Sequence, residues 1–353
     1  RLGYQSHYLT LNGGTFSLLG AAGVGQRFST LYLGAGASTV AVQNGGLGFT
    51  DVSSSAGSSL DFTGDFLSGG LGSISIVNPV YNGGIYVAQG VARARYTVGG
   101  TAFATLVPGV NTVLPFTAYN TSNALDIAAA SDTPLLSNNT SYTASRTLNA
   151  LALQGGVTLS GLQRSGALTL SSGGVLALAG MSAVDASAGL NFGSAEAVFH
   201  VVLGGTLNIA GMVAGSAGLT KTLNGTLQLS SPQMFSGMTS VNGGTLLLAG
   251  GNNTLLPGSN LGVNLGGLLD LGNTSQLVGD LINASARNGV LEGAGGMIQG
   301  SSGATLVTNQ SNTSRTFAGS MQGGMNFVRV GLNSLFLNAN NTFTGTTQLL
   351  GGL

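Results

Sequence analysis

Along most of the chain, apolar residues alternate with small or polar ones at a period of two. Leu9/Leu11, Phe16/Leu18, Leu31/Leu33, Val40/Val42, Ile74/Ile76 and Ile85/Val87 do so in the first third. Leu168/Leu170, Leu176/Leu178, Leu207/Ile209, Leu227/Leu229, Leu246/Leu248, Leu269/Leu271 and Leu335/Leu337 continue the pattern. Each pair places two side chains on one face of an extended segment, which predicts short strands with one buried face. No segment carries a capped 3.6-residue period, so helix is expected to be nearly absent. Glycine pairs stand close to many of these strands: Gly13-Gly14, Gly155-Gly156, Gly173-Gly174, Gly204-Gly205, Gly243-Gly244 and Gly266-Gly267. Glycine adopts positive φ without a steric penalty, so such pairs suit sharp corners.

Hairpins in an antiparallel sandwich would use the same signals, and spacing separates the two arrangements. Leu207 to Leu227 is 20 residues, Leu227 to Leu246 is 19, and Leu246 to Leu269 is 23. A near-constant step of this size fits one coil of a β-solenoid, whereas hairpin sheets turn every ~8–12 residues. A longer period accompanies it. A shift of 108 residues superposes Leu227, Leu229, Phe235, Gly237, Thr239, Gly243 and Gly244 on Leu335, Leu337, Phe343, Gly345, Thr347, Gly351 and Gly352. The expected fold is therefore all-β, a right-handed parallel β-helix drawn out as a rod. Three sections are expected: less regular coils over 1–107, an irregular excursion or joint over 108–146, and a regular solenoid over 147–353. At about 4.8 Å per coil, such a chain makes roughly 15 coils and a rod of ~70–80 Å.

Composition explains how such a fold holds together. Glycine is 61 of 353 residues, and charged residues are 6%, against a usual ~25%. Lys221 is the one lysine, and together with nine arginines it balances ten acids. Cohesion must then come from stacked aliphatic columns and backbone ladders, with Ser, Thr, Asn and Gln facing water. Counterion release from nucleic acid needs clustered cations, and Arg93 with Arg95 is the nearest approach to a cluster, so no nucleic-acid partner is expected. The absence of cysteine removes disulfide and thiol chemistry. The uncharged run from Thr222 to Leu269 is broken throughout by Asn, Gln, Ser, Gly and Pro, so no membrane-spanning helix is expected. Trp is absent and aromatic girdles are missing, which disfavours an embedded barrel. The opening "RLGYQSHYLT" does not have the form of a signal peptide.

Gly218 to Leu248, "GLTKTLNGTLQLSSPQMFSGMTSVNGGTLLL", resembles the autotransporter-associated β-strand repeat, also called the passenger-associated transport repeat. Asn326 to Leu353 is similar to a second copy, so the repeats fall at 218–248 and 326–353. Gly218, Leu219, Lys221, Leu227 and Leu229, then Phe235, Ser236, Gly237, Thr239, Val241, Gly244 and Leu246 carry the match. The first copy departs at Leu223, where the family has glycine, and at Gln233-Met234 in place of Asn-Thr. The second keeps Asn341 to Gly345 but has Arg329 where lysine is common. The resemblance implies a secreted passenger region, carried to the surface of a Gram-negative-type cell by a C-terminal barrel. The Leu223 departure leads us to expect a differently bent corner.

Candidate chemistry is sparse. His7 and His200 are the only histidines, and His200, in "EAVFHVVL", reads as a partly buried strand residue rather than a catalyst. Asp61 and Asp65 share one side of an extended strand at ~13 Å, too far apart for a glycosidase pair unless a turn at Gly64 brings them together, with Asp51 a third candidate from a neighbouring coil. Asp270 and Glu292 stand alone in apolar, glycine-rich surroundings, as outward residues do. Ten scattered acids do not form the recurring aspartates of Ca²⁺-binding solenoids. "GAAGVG" (Gly20 to Gly25) has no strand–loop–helix context for a nucleotide. Asn-x-Ser/Thr triplets at Asn139, Asn252 and Asn273 arise freely in this composition. Lys221 offers at most one isopeptide crosslink, and none is expected. No catalytic, cofactor-binding or metal-binding residue is assigned and no cofactor is expected. The sequence thus points to a non-enzymatic structural or adhesive segment of a bacterial surface protein or fibre. Its expected partners are other copies of itself, end to end or laterally, and cell surfaces or polysaccharide. The alternative is a β-helical enzyme acting on surface polysaccharide.

Overall fold

The computed structural model describes residues 7–21, 23–83, 85–87, 94–161, 166–283 and 295–351. It is all-β, with parallel coils stacked into a β-solenoid of about 14 turns. Arg93, Glu292, Gly352 and the last residue of the second repeat copy lie outside the described residues. Among the described residues no helix is long and apolar enough to cross a membrane.

The coils form two stacks. In the front stack, one parallel sheet is built from Leu9–Leu11, Gly25–Leu33, Gly46–Ser54 and Ser73–Ile76. A second is built from Gly14–Leu19, Gly36–Gln43, Ser58–Gly64 and Tyr96–Val98. Alternating residues meet in register across the rungs, as Phe16, Val40, Phe62 and Val98 do, and they fill a core of their own. The last rungs abandon the parallel rule. Ala102–Leu106 and Val113–Pro115 add antiparallel strands; Gly99, Gly100 and Thr101 turn the chain between the paired Val98 and Ala102, with both glycines at left-handed φ (61° and 62°).

The main stack is a three-faced prism. Its first face runs from Leu135–Leu136 through Leu151–Leu153, Gly174–Ala177, Ala197–Val201, Leu219–Thr222 and Thr239–Val241 to Leu281–Ile282. The second holds nine strands, from Thr140–Tyr142 to Ser320–Gly323. The third includes Arg146–Leu148 early on, Met234–Phe235 midway and Asn326–Val330 late. The inferred coil step is realised as a column: Leu207, Leu227, Leu246, Leu269, Ile298 and Met321 lie rung upon rung and fully buried. Regular coils begin at Leu135, inside the stretch expected as a joint.

The front stack lies along the first face of the main stack, joined by an apolar cluster of Ile85, Val87, Phe103, Phe116, Ala152 and Leu176 among others. Nine rungs at about 4.8 Å make the second face roughly 40 Å long. Coils counted on one axis are thus shared between two stacks lying side by side, and the long axis is about half the expected length.

Candidate functional site

The seam between the stacks gathers most of the chemistry-bearing side chains. Strands of the first face are buried on both sides: Leu151–Leu153, Gly174–Ala177, Ala197–Val201 and Leu219–Thr222 have no exposed position. In Gly174–Ala177, Val175 and Ala177 fill the prism, while Leu176 points into the seam. The alternation found the right period there but not which of the two cores each residue enters. Unbroken burial is what a covered sheet produces, and the run "AEAVFHVV" carries that signal in the sequence.

At the centre of the seam, Arg95 of the front stack donates from Nη2 to Glu196 Oε2 at 2.8 Å, with both side chains almost wholly buried. Arg95 Nη1 donates to Ser58 Oγ at 2.6 Å, and the Glu196 carboxylate accepts from the Gly57 N–H (3.0 Å) and the Thr220 hydroxyl. Asn242 Nδ2 donates to Gly57 O at 2.8 Å, and the Ser59 and Thr222 hydroxyls meet at 2.9 Å. Nearby, His200 Nε2 bonds Ala94 O at 2.8 Å, its ring edge-on to Phe103, while Nδ1 has no partner. Burial, reinforced by the Lys221 and Arg95 cations, pushes its pKa down to about 4, so the imidazole is neutral and joins the stacks. Arg95 and Glu196 stand 101 residues apart in sequence, and no local pattern links them.

Lys221 is buried within the solenoid. Its Nζ donates to the carbonyls of Thr222 (3.0 Å), Leu223 (2.8 Å) and Gly243 (2.8 Å), tying two successive corners together. Three carbonyls match the three N–H groups of an ammonium. Burial pulls its pKa down to about 7. In the second repeat copy, Arg329 Nη1 donates to Gly331 O (2.7 Å) and to Gly351 O, the positions 108 residues on from Leu223 and Gly243. Leu223 holds φ 63°, in the left-handed region where its counterpart Gly331 holds 96°. The corner expected to bend differently keeps a left-handed backbone with leucine in place of glycine.

The candidate acids do not act together. Asp65 spends both oxygens on backbone N–H groups, accepting from Asn44 N one coil back and from Gly72 N in its own loop, each at 2.9 Å. Asp51 accepts from Asn78 Nδ2 (2.9 Å). Asp270 caps the Gly272 N–H and starts a side-chain ladder through Gln299 to Gln322. Asp61 faces the mouth of the seam. His7 is exposed and contributes only its carbonyl, to Ser29. Asn139 and Asn252 accept from Thr158 N and Ser275 N one coil away (2.8 Å each), and Asn273 is exposed. Gly20 and Gly25 flank a turn between two front-stack strands. Among the described residues no three acids or histidines are gathered as a metal site.

A cleft of about 760 Å³ opens where the two stacks meet. Corners of successive coils supply one wall, with Leu178, Leu203, Leu223 and Leu265; Ser38, Thr39, Asp61 and Thr101 of the front stack face them. Family models, curated proteins and solved structures contain no match to this chain.

Proposed function

We propose that the chain is a non-enzymatic structural and adhesive segment of a large bacterial surface protein or extracellular fibre, exported as an autotransporter passenger and associating with copies of itself. The observation that carries this reading is the bracing of one solenoid by another. An in-register aliphatic column supplies cohesion along the axis, and a buried ion pair with an apolar cluster locks a second stack against its side. Such a body resists bending without a charged surface, which suits a spacer or display platform outside the cell. The separate local duties of Asp51, Asp61 and Asp65 weigh against the glycosidase alternative, which needs two convergent carboxyls.

Display of the chain on a non-aggregating bacterium tests the reading. Cells carrying it should settle faster and adhere to neighbours carrying it, and the purified chain should scatter more light per mass as its concentration rises. Unchanged settling together with monodisperse particles at every concentration would overturn the adhesive, self-associating role.

A further inference from the structure

The cleft at the seam has one charged group in its lining, the Asp61 carboxylate. Asp61 Oδ1 accepts from Thr97 Oγ1 (2.7 Å) and from the Gly100 N–H (2.8 Å). Among the described residues Oδ2 has no hydrogen bond and no cation pairs with this carboxylate. Gly100 keeps the space beside it open: a Cβ there would stand 3.9 Å from Oδ2 and 3.8 Å from the Leu223 side chain. Across that space lies the leucine wall, of which Leu203 and Leu265 are 76% and 62% exposed. A half-desolvated carboxylate without a counter-ion therefore faces an apolar column, with room between them.

We propose that this cleft binds an alkylammonium or alkylguanidinium group, its head on Asp61 Oδ2 and its hydrocarbon stem along Leu203, Leu223 and Leu265. Charge complementarity selects the head, since the ligand cation supplies the partner that the carboxylate lacks. The stem follows from the opposite wall, where basic side chains and aliphatic amines lay their methylenes on apolar surface while keeping the charge on a polar group. Neutral sugars can donate a hydroxyl to Oδ2 but supply no counter-charge, and among the described lining residues no aromatic ring offers them a stacking platform. The site is independent of the structural role above: either can fail alone.

Titration of the whole chain with n-hexylammonium, followed by calorimetry and by amide shifts, tests it. Nα-acetyl-lysine N-methylamide forms a second arm that separates a free amine from a peptide side chain; n-hexanol and maltotetraose are the neutral controls. Binding by hexylammonium or the lysine derivative, with shifts at Gly100 and Thr101 and none from hexanol, is expected. Asp61→Asn keeps Oδ1 for its two internal bonds and exchanges only the free oxygen, so the variant should fold and lose at least tenfold in affinity. Leu265→Ser, at an exposed position, should weaken the hexylammonium arm several-fold. Affinity should also fall on acidification, earlier than for an ordinary carboxylate, because burial raises the Asp61 pKa. Equal binding of hexanol or maltotetraose, full affinity in Asp61→Asn, or no binding of either amine would each overturn the proposal.

Discussion

The two copies of the repeat, 108 residues apart, solve one problem in two settings. In each, a buried cation reaches from a strand to the carbonyl two residues on and to another 22 residues on, pinning the corner of one coil to that of the next. Lys221 does this from the first face of the prism and Arg329 from the third. The repeat therefore encodes a corner, not a face. Surroundings account for the rest of the difference. The first copy lies under the front stack, and its Leu223 packs against the seam cluster. Among the described residues nothing covers the second copy in this way, and its corner position is Gly331.

The largest effect should come from breaking the cover. Glu196→Ala leaves Arg95 buried without a counter-charge, and a broken buried pair typically costs 3–5 kcal/mol. Hydrogen exchange should then show the front stack losing protection while the Leu207–Met321 column keeps it. The paired change Arg95→Met with Glu196→Leu removes both charges and should cost far less. If Glu196→Ala leaves front-stack exchange unchanged, the ion pair does not hold the seam.

Next in size is the corner cation. Lys221→Met strands three carbonyls and should lower stability by roughly 2–3 kcal/mol. Lys221→Arg should cost about half as much, since Arg329 serves the same two carbonyls but leaves Nε and Nη2 without partners. Urea denaturation of the two variants beside the parent gives the ordering, and an equal loss in both would show that the corner does not distinguish the cations.

Acidification probes the seam from another side. His200 has its pKa lowered from 6.5 to about 4, so the docked protein binds fewer protons than the undocked one between those values. Stability from neutral burial is fully present above pH 6.5 and is lost as pH falls toward 4, by at most about 3 kcal/mol. Arg95 and Lys221 press in the same direction. Lys221, lowered from 10.5 to about 7, spends its own dependence above that window. Asp61, whose pKa is raised, favours the folded state on acidification and offsets part of the loss. Front-stack protection factors, taken relative to intrinsic exchange at each pH, should fall between pH 6.5 and 4.5 in the parent and much less in His200→Gln.

Strand positions and coil spacing were legible because each coil writes its period into about 20 consecutive residues. Leu227, Leu246 and Leu269 read as one column from the sequence and are one. Side-on docking was not legible, since alternation reports which residues share a face and nothing about what covers it. Leu176 and Ile85 look like ordinary core residues until the second stack is placed. Lone charges such as Glu196 look like solvated surface when their partner is 101 residues away. Gly99-Gly100 resembles every other glycine pair in the chain; Gly13-Gly14 also takes two successive positive φ values (83° and 99°) yet leads from one parallel sheet into the next, so glycine pairs alone do not mark the hairpin. The family resemblance marked Lys221 without revealing its task, because a carbonyl cage leaves no signature in side-chain identity.

The finest test lies at Leu223. A left-handed leucine bears roughly 1–2 kcal/mol of backbone strain that glycine avoids. Against this, Leu223 packs partly buried in the seam and lines the cleft, and losing such a side chain costs about as much. Leu223→Gly should therefore change global stability by less than about 1 kcal/mol while redistributing it: main-stack exchange is held or slowed and front-stack exchange quickened. Transfer of leucine to the uncovered corner, Gly331→Leu, keeps the strain and finds no seam to fill, so it should only destabilise. Were both substitutions to shift stability equally in opposite senses, leucine at this corner would be a local backbone choice, and docking would not be the reason the first copy departs from glycine.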